Sequence, residues 1–136
     1  MESVLRVAAK AENLARVRQF VVQAAAGLGA PRRAVEDLEL AVDEAVSNII
    51  MHGYGEGGGE VEVTVWREAG TLAVRLRDSA PLFDPTGAPE PDLSLPLEER
   101  PLGGLGIFLV RRLMDQVEYR PAPRGGNELI LMKSVL

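Results

Sequence analysis

Residues 60–78 have the sequence EVEVTVWREAGTLAVRLRD, and this stretch decides the fold class. Apolar residues alternate with polar ones on both sides of a turn-like segment at residues 68–71. The period of two predicts a β-hairpin with one core-facing side, formed by Val61, Val63, Val65, Leu72, Val74 and Leu76. An antiparallel sheet is therefore the expected centre of the fold.

One strand and two helices are predicted on the N-terminal side of this hairpin. Ser3–Ala9 alternates between apolar and polar residues, as a strand does. Apolar residues spaced three and four apart then predict an amphipathic helix that ends near Gly27 or Gly29. Pro31 suits the first turn of a second helix, which continues until the glycines that begin at Gly53.

The chain after the hairpin begins with a long segment, Ser79–Leu102, that has neither a helical nor a strand period. It holds six of the nine prolines, and loops of this length in compact domains are usually functional or disordered. A third helix is predicted from about Gly104 to Asp115, followed by a hairpin of Gln116–Arg120 and Glu128–Val135. Because the strands are paired by hairpins, the sequence favours one α+β domain over residues 1–136, with a mainly antiparallel sheet and helices on one face.

The composition excludes several classes of site. The chain has no cysteine, which rules out disulfides, thiolate metal sites and cysteine nucleophiles, and its single histidine argues against a histidine-rich metal site. A net charge of −5 disfavours nucleic-acid binding. The longest charge-free run, Gln19–Pro31, is too short to span a bilayer, and the first residues lack the apolar core of a signal peptide. A cytoplasmic protein is therefore expected.

The second predicted helix carries a polar stripe of Glu44, Asn48 and His52, which are four residues apart and so share a face. A solvated helix surface is one interpretation of this stripe. Asn is a poor residue for the middle of a helix, however, which favours a specific task. An amide oxygen ligates Mg²⁺ where phosphates supply other ligands, and a carboxylate one turn away can orient or deprotonate a nucleophile.

Two further segments suit other parts of a nucleotide. Asp78 ends a predicted strand and precedes small residues and proline, so it is either part of a plain turn or a hydrogen-bond acceptor at a pocket mouth, for instance for a base amino group. The run Gly103-Gly104-Leu105-Gly106 opens the third helix, where unpaired backbone N–H groups bind anions; a hinge or a tight turn is the alternative. No Gly-Lys-Ser or Gly-Lys-Thr occurs, which excludes a P-loop.

These parts, in this order, resemble the GHKL superfamily of ATP-binding domains, which includes gyrase, heat-shock chaperones, histidine kinases and mismatch-repair ATPases. Within it, the chain resembles the bacterial anti-sigma factor serine/threonine kinases over nearly its whole length. Glu39–His52 resembles the family's N box, and residues 126–129 resemble the start of its last strand. The resemblance implies a two-layer α/β sandwich with a mixed, mostly antiparallel sheet, helices on one face, and an ATP lid over residues 79–102.

The resemblance also implies roles for individual residues. The family's catalytic glutamate falls on Glu44, its Mg²⁺-ligating asparagine on Asn48 and its adenine-binding aspartate on Asp78. The first glycine box departs from the family pattern, because Ala80 stands where the family has a glycine; an alanine fits there if its φ angle stays negative. Arg100 either reaches the γ-phosphate or is an exposed charge on the lid. The second glycine box, which would bind the phosphates, falls on Gly103, Gly104, Leu105 and Gly106.

The implied function is an ATP- and Mg²⁺-dependent serine/threonine protein kinase that acts as an anti-sigma regulatory factor in transcription. Its partners would be a sigma factor and a STAS-type anti-sigma factor antagonist, which it phosphorylates. A homodimer through an edge strand such as Ser3–Ala9 is a further expectation. The altered first glycine box keeps a second interpretation open, that of a non-catalytic nucleotide-binding switch. An ATP-hydrolysing piece of a two-component system is a third, although the sequence lacks a phosphoacceptor-histidine helix.

Overall fold

A five-stranded antiparallel sheet forms one layer of the structure, which is a computed structural model. The structure describes residues 2–54, 58–82 and 104–135. At residues 52 and 104–106 it describes the backbone alone. The order across the sheet is β1-β2-β3-β5-β4, so β1 and β4 are its edges, and each of these pairings is antiparallel. The predicted α+β class is confirmed. In chain order the strands are β1 Ser3–Ala8, β2 Glu60–Glu68, β3 Thr71–Asp78, β4 Gln116–Pro121 and β5 Asn127–Ser134.

Three α-helices in the described ranges form the second layer: α1 Leu14–Gly27, α2 Arg32–Asn48 and α3 Gly104–Leu113. The second helix differs from the prediction at its end, because the backbone continues past Asn48 as a π-helical turn, Ile49–Gly53. The α-helical period on which the predicted polar stripe rests therefore stops at Asn48. In the part of the chain that the structure describes, no helix is long and apolar enough to cross a membrane.

The core lies between the helices and one face of the sheet, and it is mostly aliphatic. The six side chains that the alternation of residues 60–78 predicts to face the core are each at most 1% exposed. Burial of a side chain of this size stabilises the fold by about 1.5–3 kcal/mol. Leu38 of α2, Val17 and Val21 of α1, Val110 of α3 and Leu131 of β5 pack against them.

The other face of the sheet carries a ladder of alternating charge that crosses all five strands. In strand order it consists of Arg6, Glu62, Arg77, Glu128 and Arg120. Arg6 Nε lies 2.7 Å from Glu62 Oε2, and Arg77 Nη2 lies 2.7 Å from Glu128 Oε2. Arg120 Nε donates to Glu128 Oε1 at 2.6 Å. These ion pairs tie the strands together at the end of the sheet where β3 ends and β5 begins.

Candidate functional site

A pocket lies between the helices and the sheet, at the end of the sheet where β3 ends. Its volume, with the open mouth included, is about 420 Å³. Mostly apolar walls with a few polar groups are typical of sites for small organic ligands. Such a lining suits a largely apolar ligand that carries a few polar atoms. The described residues that line it are Ala45, Asn48, Ile49, Gly53, Asp78, Ile107, Tyr119, Asn127 and Leu129.

Two of the predicted site residues meet in this pocket. Asn48 is the last residue of α2 and is half-buried, and Asp78 is the last residue of β3 and is 6% exposed. Glu44, one turn earlier on α2, is also half-buried but is not among the described residues that line the pocket. The described residues contain no group of three or more His, Cys, Asp or Glu that could hold a metal ion.

The Asp78 carboxylate is held through one of its two oxygens. The backbone N–H of Ala80 and the side-chain amide of Asn127 both donate to Asp78 Oδ1, each at 2.9 Å. The same Asn127 Nδ2 donates to the carbonyl oxygen of Pro81 at 3.0 Å, and the hydroxyl of Tyr119 donates to Asn127 Oδ1 at 2.7 Å. Within the described ranges, both hydrogen bonds to this carboxylate reach Oδ1. Oδ2 is therefore the oxygen that remains for a ligand.

Ala80, the departure from the family's first glycine box, is accommodated by a glycine opposite to it. Ala80 is 3% exposed, and a Cβ added at Gly53 would lie 3.4 Å from the Ala80 Cβ. Ala69 is the one described residue other than glycine with a positive φ angle, so the φ of Ala80 meets the condition that an alanine needs here. The extra methyl group is thus buried without backbone strain.

Tyr54 fixes the main chain next to Asp78. Its hydroxyl donates to the carbonyl oxygen of Glu60 and accepts from the backbone N–H of Ser79, both at 2.6 Å. Its ring lies over Gly59, where an added Cβ would come 2.2 Å from the ring carbon Cε1. These contacts connect the end of the π-helical turn to the start of β2 and to the residue that follows Asp78.

The predicted glycine run begins α3 at the edge of the pocket. Residues 104–106 form the start of this helix, and Ile107, in the same first turn, lines the pocket. The first N–H groups of an α-helix have no partner within the helix and lie at the positive end of its dipole, so they favour an anion. Gly103, Arg100 and the predicted lid beyond Leu82 lie outside the described residues.

Sequence reasoning assigned no role to most of the pocket wall. The apolar residues Ile49, Ile107 and Leu129 look like any core residue in the sequence. Asn127 carried a signal, because asparagine is disfavoured in strands and it begins a strand that is otherwise largely apolar. Nothing in the sequence indicates a role for Tyr119 in the site, since its contact with Asn127 depends on how β4 and β5 pair.

Comparison with known protein families shows the class to which this chain belongs. The family described as histidine kinase-like ATPase domain matches residues 7–133, and the chain belongs to this family. A helical layer on one antiparallel sheet, with Asn48 and Asp78 in a shared pocket, is consistent with that match. The resemblance to the GHKL superfamily is therefore confirmed.

Individual relatives and a solved structure narrow the class to a type of kinase within this family. The chain is 30% identical over 118 residues to the serine-protein kinase RsbW of Bacillus thuringiensis (strain Al Hakam), covering 84% of this chain and 74% of that protein. The same figures hold for RsbW of Bacillus anthracis (strain A0248). The crystal structure of the RsbU and RsbW domains of Rv1364c from Mycobacterium tuberculosis matches with a TM-score of 0.70 and 16% identity, covering 99% of this chain and 32% of that one. The chain is thus a homologue of the RsbW serine-protein kinases, and the solved structure shares its fold.

Proposed function

We propose that this chain is an ATP-dependent serine/threonine protein kinase that acts as an anti-sigma regulatory factor, with one ATP-binding domain over residues 1–136. The observation that carries the proposal is that Asn48 and Asp78 line one pocket beside the first turn of α3. These features supply an oxygen ligand, an acceptor for a base, and N–H groups for phosphates. The relatives named serine-protein kinase RsbW support the reaction type.

The nucleotide would bind with its base inside the pocket and its phosphates toward α3. The base packs against Ile49, Ile107 and Leu129 and donates its amino group to Asp78. The first residues of α3 and Gly103 bind the phosphates through backbone N–H groups. Arg100, which lies outside the described residues, would stabilise the charge that develops on the γ-phosphate during transfer.

The donor atoms of the pocket fit a metal ion that arrives with the nucleotide. Mg²⁺ usually takes only one or two protein oxygens and completes its shell with phosphate oxygens and water. Asn48 offers one amide oxygen of this kind at the pocket wall. When bound, Mg²⁺ would neutralise charge on the phosphates.

Glu44 is the general base in this proposal. The serine Oγ of the partner protein attacks the γ-phosphorus, and its proton passes to the Glu44 carboxylate. The bond from the γ-phosphorus to the bridging oxygen breaks, and ADP leaves. Glu44 lies one helical turn before Asn48 and next to Ala45, both of which line the pocket, so its carboxylate would be near the γ-phosphate that the serine of the protein substrate must approach.

A non-catalytic nucleotide-binding switch is the second candidate function. The observations that favour it are that Glu44 itself is not among the described residues that line the pocket, and that an alanine stands at residue 80 in the first glycine box. In that case nucleotide binding would change the affinity for a partner without phosphoryl transfer.

Radiolabel transfer from ATP to a STAS-type antagonist distinguishes the two. Wild type is expected to label a serine of the antagonist, whereas Glu44→Gln should bind ADP normally and lose transfer by about a hundredfold or more. Glu39→Gln, a half-buried glutamate of the same helix that does not line the pocket, is the matched control and should retain transfer. If wild type binds ADP but labels no antagonist, the kinase proposal fails and the switch remains.

The proposal also includes a sigma factor and a second copy of the chain as cytoplasmic partners. β1 is an edge strand, and its Val4 is 51% exposed. Exposed edges can pair with another chain, and a lysine placed there opposes such pairing. Val4→Lys should therefore shift a dimer toward monomer in sedimentation; an unchanged distribution would exclude this edge as the interface.

A further inference from the structure

Asn127 joins four segments of the chain at the floor of the pocket. It is 8% exposed and pairs with Asp78 in the β3–β5 register. Its Nδ2 donates to Asp78 Oδ1 and to the Pro81 carbonyl, while its Oδ1 accepts from the Tyr119 hydroxyl. An amide turned by 180° would place Oδ1 against two other oxygens, so the donors and acceptors allow only the observed orientation.

We propose that Asn127 and Tyr119 are positioning residues that set the purine specificity of the pocket by holding Asp78 with Oδ1 occupied and Oδ2 toward the ligand. This inference rests on the proposed nucleotide site and goes beyond it, because it concerns which purine is selected. The Tyr119 hydroxyl fixes the Asn127 amide, and the amide fixes the carboxylate.

The arrangement distinguishes a 6-amino purine from a 6-oxo purine. An ionised carboxylate oxygen only accepts hydrogen bonds, so Oδ2 binds an amino group and repels a carbonyl oxygen. The two described donors to the carboxylate, the Ala80 N–H and Asn127 Nδ2, are both directed to Oδ1. Among the described residues, a 6-oxo purine therefore finds no donor at Oδ2, where adenine finds its acceptor.

Two variants should relax this choice in different ways. Tyr119→Phe removes only the hydroxyl, and with it the hydrogen bond to Asn127 Oδ1 that orients the amide toward Asp78. Asn127→Asp keeps the shape but replaces Nδ2 with an oxygen, so Asp78 Oδ1 and the Pro81 carbonyl both lose the donor that this amide supplies. In both variants the Asp78 carboxylate is held less firmly, so the preference for a 6-amino purine should fall.

The test measures the dissociation constants of ADP, IDP and pyrophosphate by calorimetry. We expect the ratio of the IDP constant to the ADP constant to fall about tenfold in Tyr119→Phe. In Asn127→Asp the ratio should fall at least as far, because the amide donor to Asp78 Oδ1 is itself removed, whereas a general structural defect would weaken both nucleotides and leave the ratio unchanged. Pyrophosphate binding should stay unchanged in both. Thr64→Val is the matched control, since it removes a hydroxyl that is buried and has no hydrogen-bond partner in the described part of the chain.

The outcomes separate this inference from the function on which it rests. If wild type binds no ADP, the proposed function fails. If wild type prefers ADP over IDP but the ratio stays at the wild-type value in both variants, the positioning role is overturned while the nucleotide site stands. Should Tyr119→Phe not fold, as judged by its thermal transition, the ratio of the IDP and ADP constants in Asn127→Asp decides the question alone.

Discussion

Arg77 donates two hydrogen bonds to Glu128 Oε2, at 3.0 Å from Nε and 2.7 Å from Nη2, directly behind the pocket that Asn48 and Asp78 line. Successive residues of a strand point to opposite faces, so this ion pair on the outer face adjoins the Asp78–Asn127 pair on the inner face. The side chain of Glu128 is 0% exposed, although its partners are partly in solvent. The same two strand ends thus carry a structural pair on one side and the proposed base contact on the other.

The titration of Glu128 should make the stability of the fold depend on pH. Burial by itself raises the pKa of Glu128, but the hydrogen bonds and charges of Arg77 and Arg120 outweigh it, so the pKa lies below its ordinary value of 4.5. A group with a lowered pKa in the folded state stabilises the fold above its unfolded pKa, and this contribution is lost as the pH falls through the folded value. Glu128→Gln should therefore lower the free energy of unfolding near neutral pH by about 1–3 kcal/mol.

Urea unfolding at neutral pH and at a pH well below 4.5 checks this, because the difference between wild type and Glu128→Gln should shrink at the lower pH. Glu36→Gln is the matched control, since Glu36 pairs with Arg32 on the helix surface, where both side chains are mostly exposed. Exposed pairs of this kind contribute about 0.3–0.5 kcal/mol. Equal losses in the two variants, or a Glu128→Gln loss that is the same at both pH values, would contradict the argument.

Gly126 should be required for the geometry of the pocket floor. A Cβ added there would lie 1.9 Å from the carbonyl oxygen of Asp78, and the residue has a φ of +90°. Gly125 has a similar φ of +98° but nothing within 4 Å of an added Cβ. Gly126→Ala should therefore cost about 3 kcal/mol or more through strain and displacement of Asp78, whereas Gly125→Ala should cost about 1 kcal/mol through strain alone.

Unfolding in urea gives the two stabilities, and calorimetry with ADP gives the effect on the site. Only Gly126→Ala should also weaken ADP binding, because only there does the new methyl group displace the chain beside Asp78. The explanation is wrong if the two alanine variants lose the same stability and bind ADP equally well.

The fold was more predictable from the sequence than the site was. Alternation in residues 60–78 is a local signal, and it predicted β2, β3 and their core-facing side chains correctly. Asn48 was singled out because asparagine is unfavourable in the middle of the predicted helix, and Asp78 because a carboxylate at a strand end can accept a hydrogen bond at a pocket mouth; both line the pocket. Tyr119 and the π-helical turn were not found, since the first depends on the pairing of β4 with β5 and the second has no sequence period of its own.

Asn48 should be the residue that makes the affinity for a nucleotide depend on Mg²⁺. With Asn48→Ala, the gain in ADP affinity that Mg²⁺ gives wild type should be lost, because the amide oxygen that would ligate the ion is gone, while affinity without Mg²⁺ stays the same. Titration with ADP, once in the presence of Mg²⁺ and once in the presence of a chelator, measures the two affinities. Asn13→Ala is the matched control, since the Asn13 amide donates to the carbonyl oxygen of the exposed residue Ala8. A Mg²⁺-dependent gain that survives in Asn48→Ala would remove this residue from the metal site.

Asp78→Asn should reverse the hydrogen-bonding character that the pocket presents to a base. In this variant the amide oxygen can still accept from Ala80 and Asn127, so the amide nitrogen takes the place of Oδ2 and turns an acceptor into a donor. ADP affinity should fall about tenfold or more while pyrophosphate affinity is unchanged, and IDP should gain relative to ADP. Asp115→Asn, whose carboxylate accepts from the Ser134 N–H, is the matched control and should bind all three ligands as wild type does. Equal losses for ADP and pyrophosphate in Asp78→Asn would mean that Asp78 acts on the phosphates or on the fold, and the base contact would have to be assigned to another residue of the pocket.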